Sequence, residues 1–198
     1  MDHEMNDTLD GKFIPMTSVA SGVGMEVLPD LYCLPIQIVN LCFVGTDKHW
    51  VLVDAGMPES ADAILSAAEN RFGAGNPPAA IVLTHGHFDH VGALVDLVKE
   101  WNVPVYAHEL EMPYLTGESD YPEPDGTVEG GLLAKISPIY PNEGIDLGPN
   151  VNKLPASGTV PEMPAWKWVH TPGHTPGHIS LFREEDRALI AGDAFITV

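Results

Sequence analysis

The chain has 198 residues, 44% of them hydrophobic, and a formal net charge of −19. That charge is the reverse of the basic footprint that phosphate backbones require, so no nucleic-acid partner is expected. No apolar run is long enough to span a bilayer and the first residues lack the basic and apolar parts of a signal peptide, so no membrane partner is expected and the expected compartment is the cytoplasm.

A chain of this length buries a sizeable core without disulfides, and no linker or composition break divides it, so residues 1–198 are expected to form a single domain. In chain order, strand character covers 31–44, interrupted near Pro35, and then 50–53. Helical periodicity fits 59–72, a short apolar strand fits 80–83, a second helix fits 90–101, and a further strand fits 103–107. Later runs at 166–170, 179–182 and 188–191 again have strand character. Early strands thus alternate with helices and later strands follow one another, which excludes a simple doubly wound sheet and points to an α+β fold. Cys33 and Cys42 lie in apolar strand-like surroundings and match no metal spacing, so they are read as buried free thiols in a reducing compartment. Trp166 and Trp168 alternate with Lys167, which places both on one sheet face as packing residues.

Residues 108–146 break the pattern of short connections. Between Glu109 and Glu129 there are seven acids and no Lys or Arg. A loop this long in a compact domain is usually functional or disordered, so Tyr114 and Tyr121 within it are candidates for a substrate cover.

The densest chemistry lies at Thr84-His-Gly-His-Phe-Asp-His90, directly after an apolar strand-like run. Neutral imidazole and carboxylate are the donors that borderline cations such as zinc prefer. Gly86 removes the side chain that would crowd His85 and His87, while Asp89 and His90 follow as the chain turns into a helix. Further along, His170-Thr-Pro-Gly-His174-Thr-Pro-Gly-His178 offers three more imidazoles on stiff turns, and Ala188-Leu-Ile-Ala-Gly-Asp193 ends an apolar run with an acid. Asp54, after 50–53, is a strand-end turn residue or a group that orients ligands. His170 and His178 flank His174, and His178 either begins a strand or stands near the site.

His-x-His-x-Asp-His, Gly-His-Thr-Pro-Gly and Gly-Asp in this order resemble the metallo-β-lactamase superfamily, from Leu31 onward. The combination is specific where each piece alone is weak. The resemblance implies a four-layer αβ/βα sandwich, with the last helical layer and final strand partly missing from this chain. It implies that His85, His87 and His174 hold one metal, Asp89 and His90 a second, and Asp193 bridges them, with Asp54 orienting the ligands; His178 is a further candidate for a supporting role, from its place beside His174. The family's final histidine is expected on a later strand, whereas this chain stops at Val198. A C-terminal truncation is therefore expected, or a homodimer that covers the apolar C-terminal edge. Two zinc ions are expected, or one if the last ligand is absent, with iron or manganese as alternatives.

The implied reaction is hydrolysis of a carbonyl compound by a metal-bridging hydroxide, with Asp89 steering it and relaying its proton. Asp193 points away from true β-lactamases, and Ile196 stands where acyl-homoserine lactonases usually carry tyrosine. A thioester, a lactone or a related small ester is the expected substrate. The rival expectations are a mononuclear iron sulfur dioxygenase and a non-catalytic metal-binding fragment of a longer enzyme.

Overall fold

The apolar run at 31–44 folds back on itself. In the computed structural model, which describes residues 8–9, 12–13, 20–123 and 141–195, Gln37 adopts a left-handed conformation with φ 55° and turns the chain between two strands. What the sequence presented as one interrupted strand is therefore a hairpin, Leu31–Ile36 and Val39–Thr46. Pro35 faces Asn40 in its register, one residue before the turn.

Numbered in chain order, β1 (Thr8–Leu9) and β2 (Lys12–Phe13) form an antiparallel pair of their own. Next come β3 (Met25–Leu28), the hairpin strands β4 (Leu31–Ile36) and β5 (Val39–Thr46), and β6 (His49–Val53). Helix α1 (Ala61–Phe72) leads to β7 (Ala80–Val82), and α2 (Phe88–Val91) with α3 (Leu94–Trp101) leads to β8 (Val105–Ala107). After α4 (Met112–Leu115) come β9 (Val151–Lys153), β10 (Trp166–His170), β11 (Ile179–Arg183) and β12 (Ala188–Ile190). Strands β3 to β9 make one seven-stranded sheet in sequence order, and β10, β11 and β12 make a second sheet. The large sheet is antiparallel from β3 to β6 and parallel from β6 to β9. Strands β3 and β9 carried no clear signal in the sequence, because β3 is largely exposed and β9 has only three residues.

Alternation along β6 explains the layering. Trp50 and Leu52 point to a core shared with Phe43, Ile64, Phe72 and Leu97 beneath α1 and α3. Val51 and Val53 point the other way, to a second core completed by Trp166, Ile179 and Leu181 from the small sheet. The centre of the large sheet is thus buried on both faces, which is why β6 and β7 read as continuous apolar runs. The described residues make three layers: helices, large sheet, small sheet. They place no helix on the outer face of the small sheet, where Val169 and Leu189 are exposed. The sandwich is the mixed α+β architecture that the family resemblance implies. The apolar tail at 196–198, including Ile196, lies outside the described residues.

Trp166 packs between the sheets and Lys167 faces out, as their alternation suggested. Cys33 and Cys42 are free and only partly buried, directly opposite each other across β4 and β5. Arg183 at the end of β11 joins the two sheets: its guanidinium donates to both carboxylate oxygens of Asp30, to Asp186, and covers the Trp166 ring at 4.8 Å. No described helix is long and apolar enough to cross a membrane.

The helix expected over 90–101 is in fact two, α2 and α3, broken at Gly92 and Ala93. The break lets the loop after β6 dock against the chain here: Ala55 N–H donates to His90 O at 2.7 Å, and Gly92 N–H to Gly56 O at 2.7 Å. A β-carbon on Gly92 would stand 2.1 Å from Pro58 N, so the contact requires glycine for space. Gly92→Ala is expected to lower stability by about 1–3 kcal/mol, the usual range for overpacking. An unchanged urea midpoint in this variant would show that the close approach is dispensable.

Candidate metal centre

Asp54 stands one residue past the end of β6, in a left-handed conformation with φ 63°, and is buried. Its Oδ1 accepts Thr84 N–H at 2.7 Å, and its Oδ2 accepts the Thr84 hydroxyl at 2.8 Å. Oδ2 also meets His90 Nδ1 at 2.9 Å, and Thr84 Oγ1 meets His85 Nδ1 at 3.0 Å. A hydroxyl that donates to a carboxylate has lone pairs left to accept from His85 Nδ1–H. A proton on each imidazole is thereby drawn to Nδ1, which leaves Nε2 of His85 and of His90 as the ring atom turned toward the site. Both Nε2 atoms are buried and neither has a hydrogen-bond partner.

Two groups of donors converge on these atoms. One is His85, His87 and His174, the other His85, Asp89 and His90, and within each group the donor atoms lie within 4.8 Å of one another. His85 therefore belongs geometrically to both. Asp193 faces the two groups at once, with Oδ1 3.3 Å from His90 Nε2 and Oδ2 3.5 Å from His174 Nε2. The elements come from both sheets: the loop after β7, the first turn of α2, the loop before β11 and the turn after β12.

The three histidines of the Thr-Pro-Gly repeat do three different things. His174 enters the cluster, with its Nε2 2.9 Å from His87 Nδ1. His170 Nε2 meets Pro176 O at 2.8 Å and so steadies the turn. His178 is buried, accepts Asp193 N–H on Nε2 at 2.9 Å, and meets Thr171 Oγ1 with Nδ1 at 2.9 Å. It holds the backbone of the acid rather than entering the donor groups.

The electrostatics divide the site. Burial and the neighbouring imidazoles push His85 well below its ordinary pKa, take His87 down to about 3, and lower His174. Burial opposes a charge on His90 as well, but Asp54, Asp89 and Asp193 outweigh it and hold its pKa well above the ordinary value. Burial raises Asp89. Burial also works against ionised Asp193, but the close approach and charge of His90, with the charges of His174 and His178, hold it at about 2. One half of the cluster is thus a set of neutral lone pairs, and the other is an anionic recess that favours positive charge, whether a proton or a cation. Buried nitrogens without partners beside carboxylates fit divalent metal ions of the zinc type.

The chain matches the family model "Metallo-beta-lactamase superfamily" over residues 35–198. It belongs to the metallo-β-lactamase superfamily. Among similar curated proteins, "Probable metallo-hydrolase YflN" of Bacillus subtilis is 50% identical over 189 residues, covering 94% of this chain and 72% of that protein. "Probable metallo-hydrolase YybB" of the same organism is 33% identical, covering 83% of this chain and 66% of that protein. The chain thus spans about two thirds to three quarters of these relatives. Of solved structures, "Beta-lactamase from Chitinophaga pinensis" superposes with TM-score 0.65 at 19% identity, covering 96% of this chain and 69% of that one. At that identity the likeness shows the shared superfamily fold.

One residue of this superfamily member escaped the sequence reading. Glu111, in the short 3-10 turn Glu109–Glu111 before α4, is fully buried beneath the histidine loops. Its Oε2 accepts Gly86 N–H at 2.9 Å and the Tyr121 hydroxyl, and its Oε1 accepts the Thr175 hydroxyl and Gly177 N–H, each at 2.7 Å. Tyr121 is itself buried and stacks on Tyr114, with ring centroids 3.8 Å apart. Tyr121 therefore faces the underside of the site, not open space as a substrate cover would require. Gly86 is needed for a related reason: a β-carbon there would meet Tyr121 Oη at 2.6 Å. Residues 124–140 of the long loop lie outside the described residues.

Two outcomes follow from this geometry. Asp54→Asn places an amide where two donors need an acceptor, so zinc affinity is expected to fall about 10–100-fold, as for other groups that orient metal ligands. Competition with a chromophoric chelator measures it, and wild-type affinity would remove Asp54 from this role. Since His90 is held protonated and the three-histidine group neutral, metal at His90 must displace a proton. Its affinity should fall between about pH 8 and about pH 6 while the first equivalent changes little. Calorimetric zinc titrations in buffers of different ionisation enthalpy check this, and two equivalents with equal proton release would contradict it.

Proposed function

We propose that the chain forms the centre of a metal-dependent hydrolase that acts on the carbonyl of a small thioester, lactone or related ester. The observation that carries this reading is the pair of buried, unpartnered nitrogens, His85 Nε2 and His90 Nε2, facing carboxylates in a partly open cluster. His85, His87 and His174 would hold one cation and Asp89 and His90 a second, with Asp193 between them. Zinc suits this nitrogen and oxygen set. When bound, such cations bring the pKa of water to about neutral and polarise a carbonyl oxygen.

The chain's own residues supply the rest. Asp54 fixes which nitrogens of His85 and His90 are available. His178 holds Asp193 by its backbone, so the acid's two oxygens stay divided between the halves of the site. Asp89, raised by burial, is suited to take a proton from an attacking water and release it to a leaving group. Substrate enters where His174 is exposed and His87 and Asp193 are half-buried. The net charge of −19 disfavours polyanions and leaves a small neutral ester or thioester the better match. Two free cysteines suit a cytoplasmic setting.

The direct test combines metal content with a substrate panel. Protein purified without added metal should hold zinc, hydrolyse some thioesters, lactones or esters, lose activity to a chelator and regain it with zinc. Activity that survives complete removal of metal would sink the proposal. Asp89→Ala is expected to reduce kcat by about 100-fold or more, the scale of general acid–base catalysis, with a much smaller change in KM. Equal losses in the exposed-site variant Glu185→Ala would remove any special role for Asp89.

A further inference from the structure

The structure assigns to Glu111 the task of setting the distance between the two histidine loops, and we propose it as a positioning residue for the three-histidine half of the site. The inference rests on the metal-binding reading above. It does not follow from the superfamily motif, because Glu111 lies in none of its segments.

The division of labour between its oxygens is the main observation. Oε2 is bound to Gly86 N–H, between His85 and His87, and to the hydroxyl of Tyr121, which also accepts Gly86 N–H at 3.0 Å. Oε1 is bound only to the side that follows His174, through Thr175 Oγ1 and Gly177 N–H. One rigid planar group therefore spans two loops that approach from different sheets. Each held backbone amide is close to a ligand in the chain: Gly86 lies between His85 and His87, and Gly177 is three residues after His174. A change in the clamp moves ligand atoms directly.

Space confirms how tightly it fits. A β-carbon on Gly177 would stand 2.7 Å from both Glu111 Cγ and Glu111 Oε1, and 2.8 Å from its backbone nitrogen. Gly177 is thus required by the approach to this carboxylate, and Gly86 by the Tyr121 hydroxyl bound to it. All four partners present donors, and two of them, the backbone amides, can do nothing else. An amide at this position would turn an NH2 group toward a donor. The carboxylate also brings negative charge beneath both histidine loops. Behind a cation on the three histidines, the same charge would add attraction without occupying a coordination position.

The test uses the purified full chain and its variants, loaded separately with zinc and with cobalt(II). Three readouts are taken: zinc affinity by chelator competition, the cobalt absorption spectrum, and the urea midpoint of the metal-free protein. Glu111→Gln is expected to weaken zinc about 10–100-fold and to shift the cobalt spectrum, as loss of an outer group that orients ligands does. Thr175→Val removes one donor and keeps the charge, so it should weaken zinc less than Glu111→Gln while still altering the spectrum. A folded Glu111→Gln with wild-type zinc affinity and cobalt spectrum overturns the proposal. If Glu111→Gln fails to fold, Thr175→Val and Tyr121→Phe decide, and unchanged affinity and spectra in both overturn it. A wild-type chain that holds neither metal overturns the metal reading and this inference with it, an outcome distinct from wild-type binding that Glu111 variants leave intact.

Discussion

Everything at the site depends on the carboxylate of Asp54. It sits in a left-handed turn at the end of a buried strand, where one group reaches Thr84 and His90 together. Through the Thr84 hydroxyl it also governs His85. A buried carboxylate with this many donors keeps a proton on Nδ1 of both imidazoles, so Nε2 is the atom that each presents to the site. The large sheet is what makes the arrangement durable. β6 and β7 are parallel neighbours buried on both faces, so Asp54 and Thr84 emerge side by side from the most protected part of the fold.

The second constraint is that the cluster is assembled from both sheets. Ile179 N–H donates to Thr84 O at 2.9 Å, a backbone link between the start of β11 and the loop after β7. His178 immediately before it holds Asp193, and Glu111 lies beneath both loops. His85, Asp89 and His90 all follow β7, but the group of His85, His87 and His174 is completed only by a residue from the loop before β11.

The motifs in the sequence were legible because chemistry compresses them. His85 to His90 lie within one turn and the start of a helix, and their spacing alone suggests metal donors. Asp54 was legible only through family resemblance, since an aspartate after a strand is equally a turn residue. Glu111 left no trace: its four donors come from Gly86, Tyr121, Thr175 and Gly177, far apart in sequence, and an acid among seven in a polar loop looks solvated. Tyr121 was misread for the same reason, because loop composition does not show which side chains turn inward. The break at Gly92 and the turn at Gln37 were hidden by apolar runs that continue across them, where tertiary docking and backbone geometry override periodicity. For His178 the sequence left open a strand start or a place near the site, and its act of holding a backbone amide is visible only in three dimensions.

Arg183 gives the architecture a mechanical consequence. Strand β11 begins beside the histidine loops and ends at Arg183, whose guanidinium grips Asp30 in the turn between β3 and β4. At about 3.3 Å per residue, the two attachments lie on the order of 15 Å apart along one strand. Stacked layers fastened at a single point can slide about it, whereas fastening at two separated points resists both sliding and rotation. β11 thus works as a brace, and thermal shear between the sheets is kept from the spacing of the donor atoms. Proteins that open by sliding packed elements leave such joints free. This one closes them, and the donor frame is tied to the large sheet at both ends of β11.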